Sequence, residues 1–94
     1  MPYFVYIIQF QMDGTFYKGF TTNILKRLEQ HNNGESRYTS KKTPWKLVYL
    51  EICDSKKDAL IKERKIKHYN SEYLNKIIEE FQNKKSDTLL DDMK

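Results

Sequence analysis

Residues 3–10, YFVYIIQF, are apolar or aromatic at nearly every position, the pattern of a strand covered on both faces rather than of one half-exposed to water. Residues 15–20 predict a second strand. Between them Gln11-Met12-Asp13-Gly14 ends in Asp-Gly, and Gly14 tolerates the positive φ that a tight antiparallel connection requires. The two strands read as a hairpin that sets Tyr6 and Tyr17 on neighbouring strands. Thr22 or Asn23 is placed to cap a helix and Asn33-Gly34 to stop it, which predicts a helix over 23–33. Residues 35–45, ESRYTSKKTPW, hold turn formers and Pro44 and read as a basic surface loop. Strand character returns from Lys46 to Ile52.

Ser55, with Asp58 three residues on, resembles a capping box and opens a helix reaching about His68. Asn70-Ser71 breaks the chain and caps it again. Leu74, Ile77, Ile78 and Phe81 then fall at i, i+3, i+4 and i+7, the stripe of an amphipathic helix that packs on a core. The order β-β-α-β-α-α predicts an α+β domain, a small three-stranded antiparallel sheet flanked by helices. Residues 1–82 are expected to form this single domain and residues 83–94 a polar, flexible tail.

Composition narrows the setting. A chain of 94 residues supports one domain with a small core, and the 14% of aromatic residues supply its density. The longest apolar run, Tyr3 to Ile8, is too short to cross a bilayer and no basic segment precedes it as in a secretory signal. With the lone Cys53 sitting in an apolar run as a buried thiol, these features predict a soluble cytoplasmic protein with no membrane association. No partner protein is indicated.

The net charge is +4, and residues 83–94 carry three lysines against three aspartates, so the surplus lies wholly in residues 1–82, with 14 basic and 10 acidic side chains. A body of that charge attracts polyanions. The loop offers Arg37, Tyr38, Lys41 and Lys42 as nucleic-acid-binding candidates, with Tyr38 available to stack on an exposed base. The second helix adds Lys56, Lys57, Lys62, Arg64, Lys65 and Lys67, for which a simple solvated face is an equal alternative.

Several polar groups stand where the apolar pattern asks for something else. Glu63 lies i+4 from Ala59, i+3 from Leu60 and i−3 from Ile66, on the packing side of its helix. A carboxylate there needs a metal or a basic partner such as Lys62 or Lys67, unless it sits at the wet edge of the stripe. In the first helix Arg27 and His31 follow Ile24 and Leu28 by three residues each and lie one turn apart along the border of the stripe. Arg27 offers a planar fork for phosphate and His31 a proton-transfer or hydrogen-bonding group, although an arginine folded over the core beside a surface histidine also fits. Gly19, in line with Tyr17, leaves a gap that would admit a ligand close to the backbone or permit a plain bend. Two hydroxyls, an arginine, a histidine and a carboxylate near one sheet edge meet the needs of phosphodiester hydrolysis. One cysteine, two histidines and no G-x-x-x-x-G-K leave no zinc cluster or phosphate-binding glycine loop to compete.

The residues that carry these features resemble the GIY-YIG nuclease family, in its small stand-alone single-domain bacterial branch. Val5-Tyr6-Ile7 looks like the first motif and Tyr17-Lys18-Gly19 like the second, while NILKRLEQHNNG, YTSKKTPWKLVYLE and DALIKERKIK resemble the arginine-bearing helix, the loop and strand, and the acidic helix. The resemblance implies a metal-dependent endonuclease acting on DNA, with branched, damaged or single-stranded forms as the candidate substrates. It implies that Tyr6 and Tyr17 are the motif tyrosines, Gly19 the motif glycine, Arg27 the phosphate-stabilising arginine, and His31 the occupant of a site position held by His or Tyr in relatives. Glu63 is then the ligand of one divalent cation, Mg2+ or Mn2+. Either tyrosine is a candidate general base, with Tyr17 favoured. A nucleic-acid-binding module that kept the fold without cleaving is the alternative. This chain departs from the pattern in lacking the first motif's glycine, in Lys18, and in Phe20, where excision-repair relatives carry a lysine thought to assist the tyrosine.

Overall fold

β1 (Tyr3–Phe10) lies between β2 (Phe16–Thr21) and β3 (Trp45–Cys53), antiparallel to both, in the computed structural model of the chain. The structure describes residues 2–92, and their side chains as far as Lys84. Its central place explains why β1 is apolar on both faces. Val5 and Ile7 enter one core with Val48, Cys53, Ala59, Ile66, Leu74 and Ile78; Tyr6 and Ile8 enter a second with Trp45, Ile24 and Leu28. The first core is roofed by α2 (Lys56–His68) and α3 (Ser71–Asp92), the second by α1 (Ile24–Asn32). The order is the expected β-β-α-β-α-α, an α+β domain. Among the described residues no helix is long and apolar enough to cross a membrane.

Local chemistry fixes each boundary. Asp13 Oδ1 accepts from the Thr15 N–H at 2.9 Å and Gly14 takes φ +80°, closing the hairpin. Asn23, rather than Thr22, caps α1 by accepting from the Lys26 N–H at 3.1 Å, and Gly34 ends the helix region at φ +74°. Ser55 and Asn70 cap α2 and α3 in the same way, accepting from the Asp58 and Tyr73 N–H groups. The backbone of α3 continues to Asp92, through most of the stretch read as a tail; Met93 and Lys94 lie outside the described residues.

β3 departs from simple alternation. Its register against β1 shifts between Ile7 and Ile8, so that Val48 and Tyr49 both pack with the α2/α3 core while Leu47 and Leu50 pack with the α1 core. The start of β3 is tied to the end of α1 by Asn32, whose Nδ2 donates to the Trp45 carbonyl at 3.2 Å while its Oδ1 accepts from the Trp45 N–H at 2.6 Å. This two-way bond sets where the loop after α1 must end. Asn32→Ala removes the partners of both backbone polar groups of Trp45 and is expected to lower unfolding free energy by about 1–3 kcal/mol, read as a lower urea midpoint at unchanged m-value.

Candidate active site

The register of the hairpin sets the site. Tyr6 stands opposite Gly19 and Tyr17 opposite Ile8, so the two phenols are diagonal neighbours on the face covered by α1, with ring centroids 6.4 Å apart. The gap left by Gly19 is not open to a ligand as the sequence allowed. The Tyr6 ring lies over it, and a Cβ at residue 19 would stand 2.7 Å from the Tyr6 hydroxyl. Glycine is required there because the neighbouring phenol occupies the space a side chain would need.

His31 is not at the border of the α1 stripe but wholly buried. Its Nε2 lies 2.8 Å from the Tyr6 hydroxyl and its Nδ1 2.7 Å from Thr39 Oγ1. Tyr6 and Thr39 are themselves about 1% exposed, and the rings of Tyr6 and Tyr17 pack against the imidazole with centroids at 5.8 and 5.1 Å. Burial, and then the nearby Arg27 charge, push the imidazole pKa down to about 4, so His31 is neutral at physiological pH. Burial likewise raises the Tyr6 phenol to about 12, against the pull of the adjacent Arg27.

Arg27 is half-buried. It donates to Gln30 Oε1 at 3.0 Å and to Ser36 Oγ at 3.4 Å. Burial works against its charge, but the Tyr6 and Tyr17 hydroxyls beside it more than offset that and hold its pKa above the ordinary value. The helix thus delivers one cation to a pair of phenol oxygens.

Glu63 occupies the flank of α2 with a side chain only 16% exposed, and of the two candidate partners Lys67 is the one that pairs with it, at 3.2 Å. Lys62 instead meets Glu51 at 3.2 Å. The charge of Glu63 is felt at Tyr6, where it adds to the factors opposing the phenolate. Among the described residues there is no cluster of three or more His, Cys, Asp or Glu side chains arranged for a metal. What the chain offers an ion is one sheltered, hard oxygen donor, a set that fits Mg2+ or Mn2+ completed by water and phosphate oxygens and does not fit a zinc cage.

The loop residues divide. Arg37, Tyr38 and Lys41 face solvent, Tyr38 at 80% exposure. Lys42 is committed elsewhere, donating to Asp13 Oδ2 at 2.6 Å and Thr15 Oγ1 at 3.1 Å and standing 5.2 Å over the Phe10 ring. That bond, with the Thr15 contacts, holds the Asp13 carboxyl down at about 2. Two residues that the sequence showed only as turn formers, Ser36 and Thr39, prove to face inward onto Arg27 and His31. Their three-residue spacing inside a short turn, with the Thr39 N–H donating to the Ser36 carbonyl at 3.2 Å, was the available signal.

Comparison with known proteins follows the same outline. The model of the GIY-YIG catalytic domain matches residues 2–77. A UPF0213 protein of Haloquadratum walsbyi is 38% identical over 79 residues, covering 83% of this chain and 88% of its own. One from Syntrophus aciditrophicus is 46% identical over 66 residues, covering 68% and 75%. Among solved structures, the solution NMR structure of a UPF0213 protein from Bacillus halodurans superposes with a TM-score of 0.55 at 30% identity, over 84% of each chain.

The depressed histidine pKa carries a stability consequence. Because the folded-state value of about 4 lies below the unfolded value of about 6.5, stability is complete above pH 6.5 and is lost as pH falls toward 4. Between pH 7 and pH 4.5 wild type is expected to lose about 2 kcal/mol more than His31→Gln, measured by urea unfolding of both proteins at the two pH values.

Proposed function

We propose that this chain, which belongs to the GIY-YIG family of nucleases, is a divalent-metal-dependent endonuclease that hydrolyses DNA phosphodiester bonds. The observation that carries the reading is the convergence of Tyr6, Tyr17 and Arg27 on one face of the hairpin, buttressed by a neutral buried His31. Arg27 is the group suited to a phosphate, since its planar fork balances charge developing on the non-bridging oxygens. The Gln30 and Ser36 bonds hold that fork from behind.

The two tyrosines take different tasks. A tyrosine acting as general base must reach water and must first lose its own proton, so that its phenolate can accept one from the attacking water. Tyr6 is buried, its oxygen is hydrogen-bonded to His31 and its pKa is raised, so it serves to orient rather than to abstract. Tyr17 is half-exposed beside Arg27 and is assigned the base role. Phe20 leaves no lysine next to the second motif, and Arg27 is the cation adjacent to Tyr17 that stands in its place. Glu63 is the residue that would hold the ion, exchanging its bond with Lys67 for the metal. When bound, a divalent ion there supplies Lewis-acid neutralisation of the phosphate and the leaving oxygen.

Among the exposed cations available to the DNA backbone are Arg37 and Lys41 on the loop and Lys56, Lys57, Arg64 and Lys65 on α2. Lys42, Lys62 and Lys67 are already paired with acids. Affinity should therefore fall with salt through exposed cations of the first kind rather than through the paired lysines.

Purified protein with Mg2+ or Mn2+ is expected to nick at least one of a panel of duplex, branched and single-stranded DNAs. Glu63→Ala and Arg27→Ala should abolish nicking, and Tyr17→Phe should cost on the order of 100-fold or more in kcat, exceeding the loss in Tyr6→Phe. Full activity in the Glu63 and Arg27 variants would trace the signal to a contaminant and remove the assignment. In a separate binding titration, Arg37→Ala with Lys41→Ala should reduce the slope of log affinity against log salt by about 1–2, whereas Lys42→Ala leaves it unchanged.

A further inference from the structure

The ion pair on α2 is lopsided. Glu63 is sheltered, with 16% of its side chain exposed, whereas Lys67, which holds it at 3.2 Å across one helical turn, keeps 53% of its side chain in water. The lysine is therefore the partner free to swing away. The other cations of the same stretch do not replace it: Lys62 pairs with Glu51, and Arg64 and Lys65, one and two residues along the helix, do not face Glu63. Among the described residues no cluster of further acids or histidines surrounds the carboxylate. The contest at Glu63 is thus between one ammonium and whatever cation arrives.

An exposed lysine–carboxylate pair adds little to stability. As a competitor it matters more, because a divalent ion taking the carboxylate leaves a bare ammonium beside it, and like charges repel. A DNA strand alone meets the converse problem, since drawing Lys67 to a phosphate leaves the carboxylate bare. Together the two ligands compensate both groups. Lys67 lies on the same face as Glu63, with about 5–6 Å between Cβ atoms, so a phosphate brought to Glu63 is within reach of the lysine as well. Ion and strand then strengthen each other's binding by the same factor, as linkage requires.

We infer that Lys67 is an electrostatic gate on the metal site: it occupies Glu63 in the free protein and passes to a DNA phosphate when ion and strand are both present, so that ion loading is coupled to substrate. The role of the phosphate rests on the nuclease reading above. The competition between Lys67 and a cation stands on the ion pair alone.

Titration of the DNA-free protein with Mn2+, followed by the EPR signal of the free ion, reads that competition without turnover. Lys67→Met keeps the apolar stem and removes the charge, and is expected to bind Mn2+ about 3- to 30-fold more tightly than wild type. Lys67→Arg keeps the charge and should stay within about 2-fold of wild type, as should Lys76→Met, which removes an exposed charge on α3. Equal affinity in wild type and Lys67→Met would overturn the gate, and so would a matching gain in Lys76→Met. Glu63→Gln should abolish the binding, and an ion that binds regardless would refute the site. A phosphorothioate duplex keeps the backbone charge and resists cleavage. Its presence should raise the Mn2+ affinity of wild type, and the rise should be about 3- to 30-fold smaller in Lys67→Met. A rise of the same size in both proteins would refute transfer to phosphate. Failure of wild type to nick any DNA would count against the nuclease reading alone, and the DNA-free titrations would still decide the competition.

Discussion

The hydrogen bond between Tyr6 and His31 is the contact on which the α1 side of the molecule depends. Placing a phenol and an imidazole in a dry interior costs several kcal/mol unless each polar atom finds a partner there. Here the partners come from four separate stretches of chain: β1 supplies Tyr6, α1 supplies His31, the loop supplies Thr39, and β2 supplies at Gly19 the absence of a side chain that lets the phenol lie flat. Among the described residues no buried side-chain nitrogen or oxygen is left without a partner. Removing any of the four would strand at least one of the others. The loop between α1 and β3 has little regular structure of its own, and its path follows from these demands together with the Asn32 bonds to Trp45 and the Lys42 bond to Asp13.

The central strand separates this polar arrangement from the main source of stability. On the opposite face Val5, Ile7, Ala59 and Ile66 are fully buried in an all-apolar cluster closed by Leu74 and Ile78. Each buried aliphatic side chain there contributes on the order of 1.5–3 kcal/mol. The shift in register of β3 sends Val48 and Tyr49 to that side together, enlarging the apolar core without displacing Leu47 or Leu50 from the other. A small domain can therefore carry two tyrosines, a histidine and an arginine on one face because the fully buried part of the other is aliphatic, with the Tyr49 hydroxyl and its Glu51–Lys62 partners only partly buried. Glu63 links the two faces, lying on a helix of the apolar side while its charge is sensed by Tyr6.

The elements were legible in the sequence because their signals are local. Caps at Asn23 and Ser55, positive-φ glycines at positions 14 and 34, and the Leu74–Phe81 stripe each declare themselves within a few residues, and the observed boundaries lie within about two residues of those read from them, except that α3 runs on to Asp92 through the stretch read as a tail. The types of side chain assembled near the hairpin were legible too. Their relations were not. The Thr39–His31 bond spans eight residues across a turn and the Lys42–Asp13 bond spans 29, and neither leaves a periodic trace. So Ser36 and Thr39 passed for surface hydroxyls, Lys42 for a spare cation, and the space at Gly19 for an opening when the neighbouring strand already filled it. Short polar side chains report their own turn but not the group they will meet.

Register is what makes two identical residues unequal. Shifting one strand by a single residue would turn Tyr6 or Tyr17 to the apolar core. In the observed pairing Tyr6 meets glycine, sinks to 1% exposure and bonds its hydroxyl to His31 Nε2, while Tyr17 meets Ile8 and stays half-exposed. Environments that push like groups apart are how one site assigns different proton-handling tasks to the same chemistry. Arg27 stands beside both: toward Tyr6 it meets an oxygen already bonded to His31, and toward Tyr17 an oxygen on a half-exposed side chain. The missing lysine at Phe20 is therefore no loss of positive charge at the second motif, because the helix brings that charge from above.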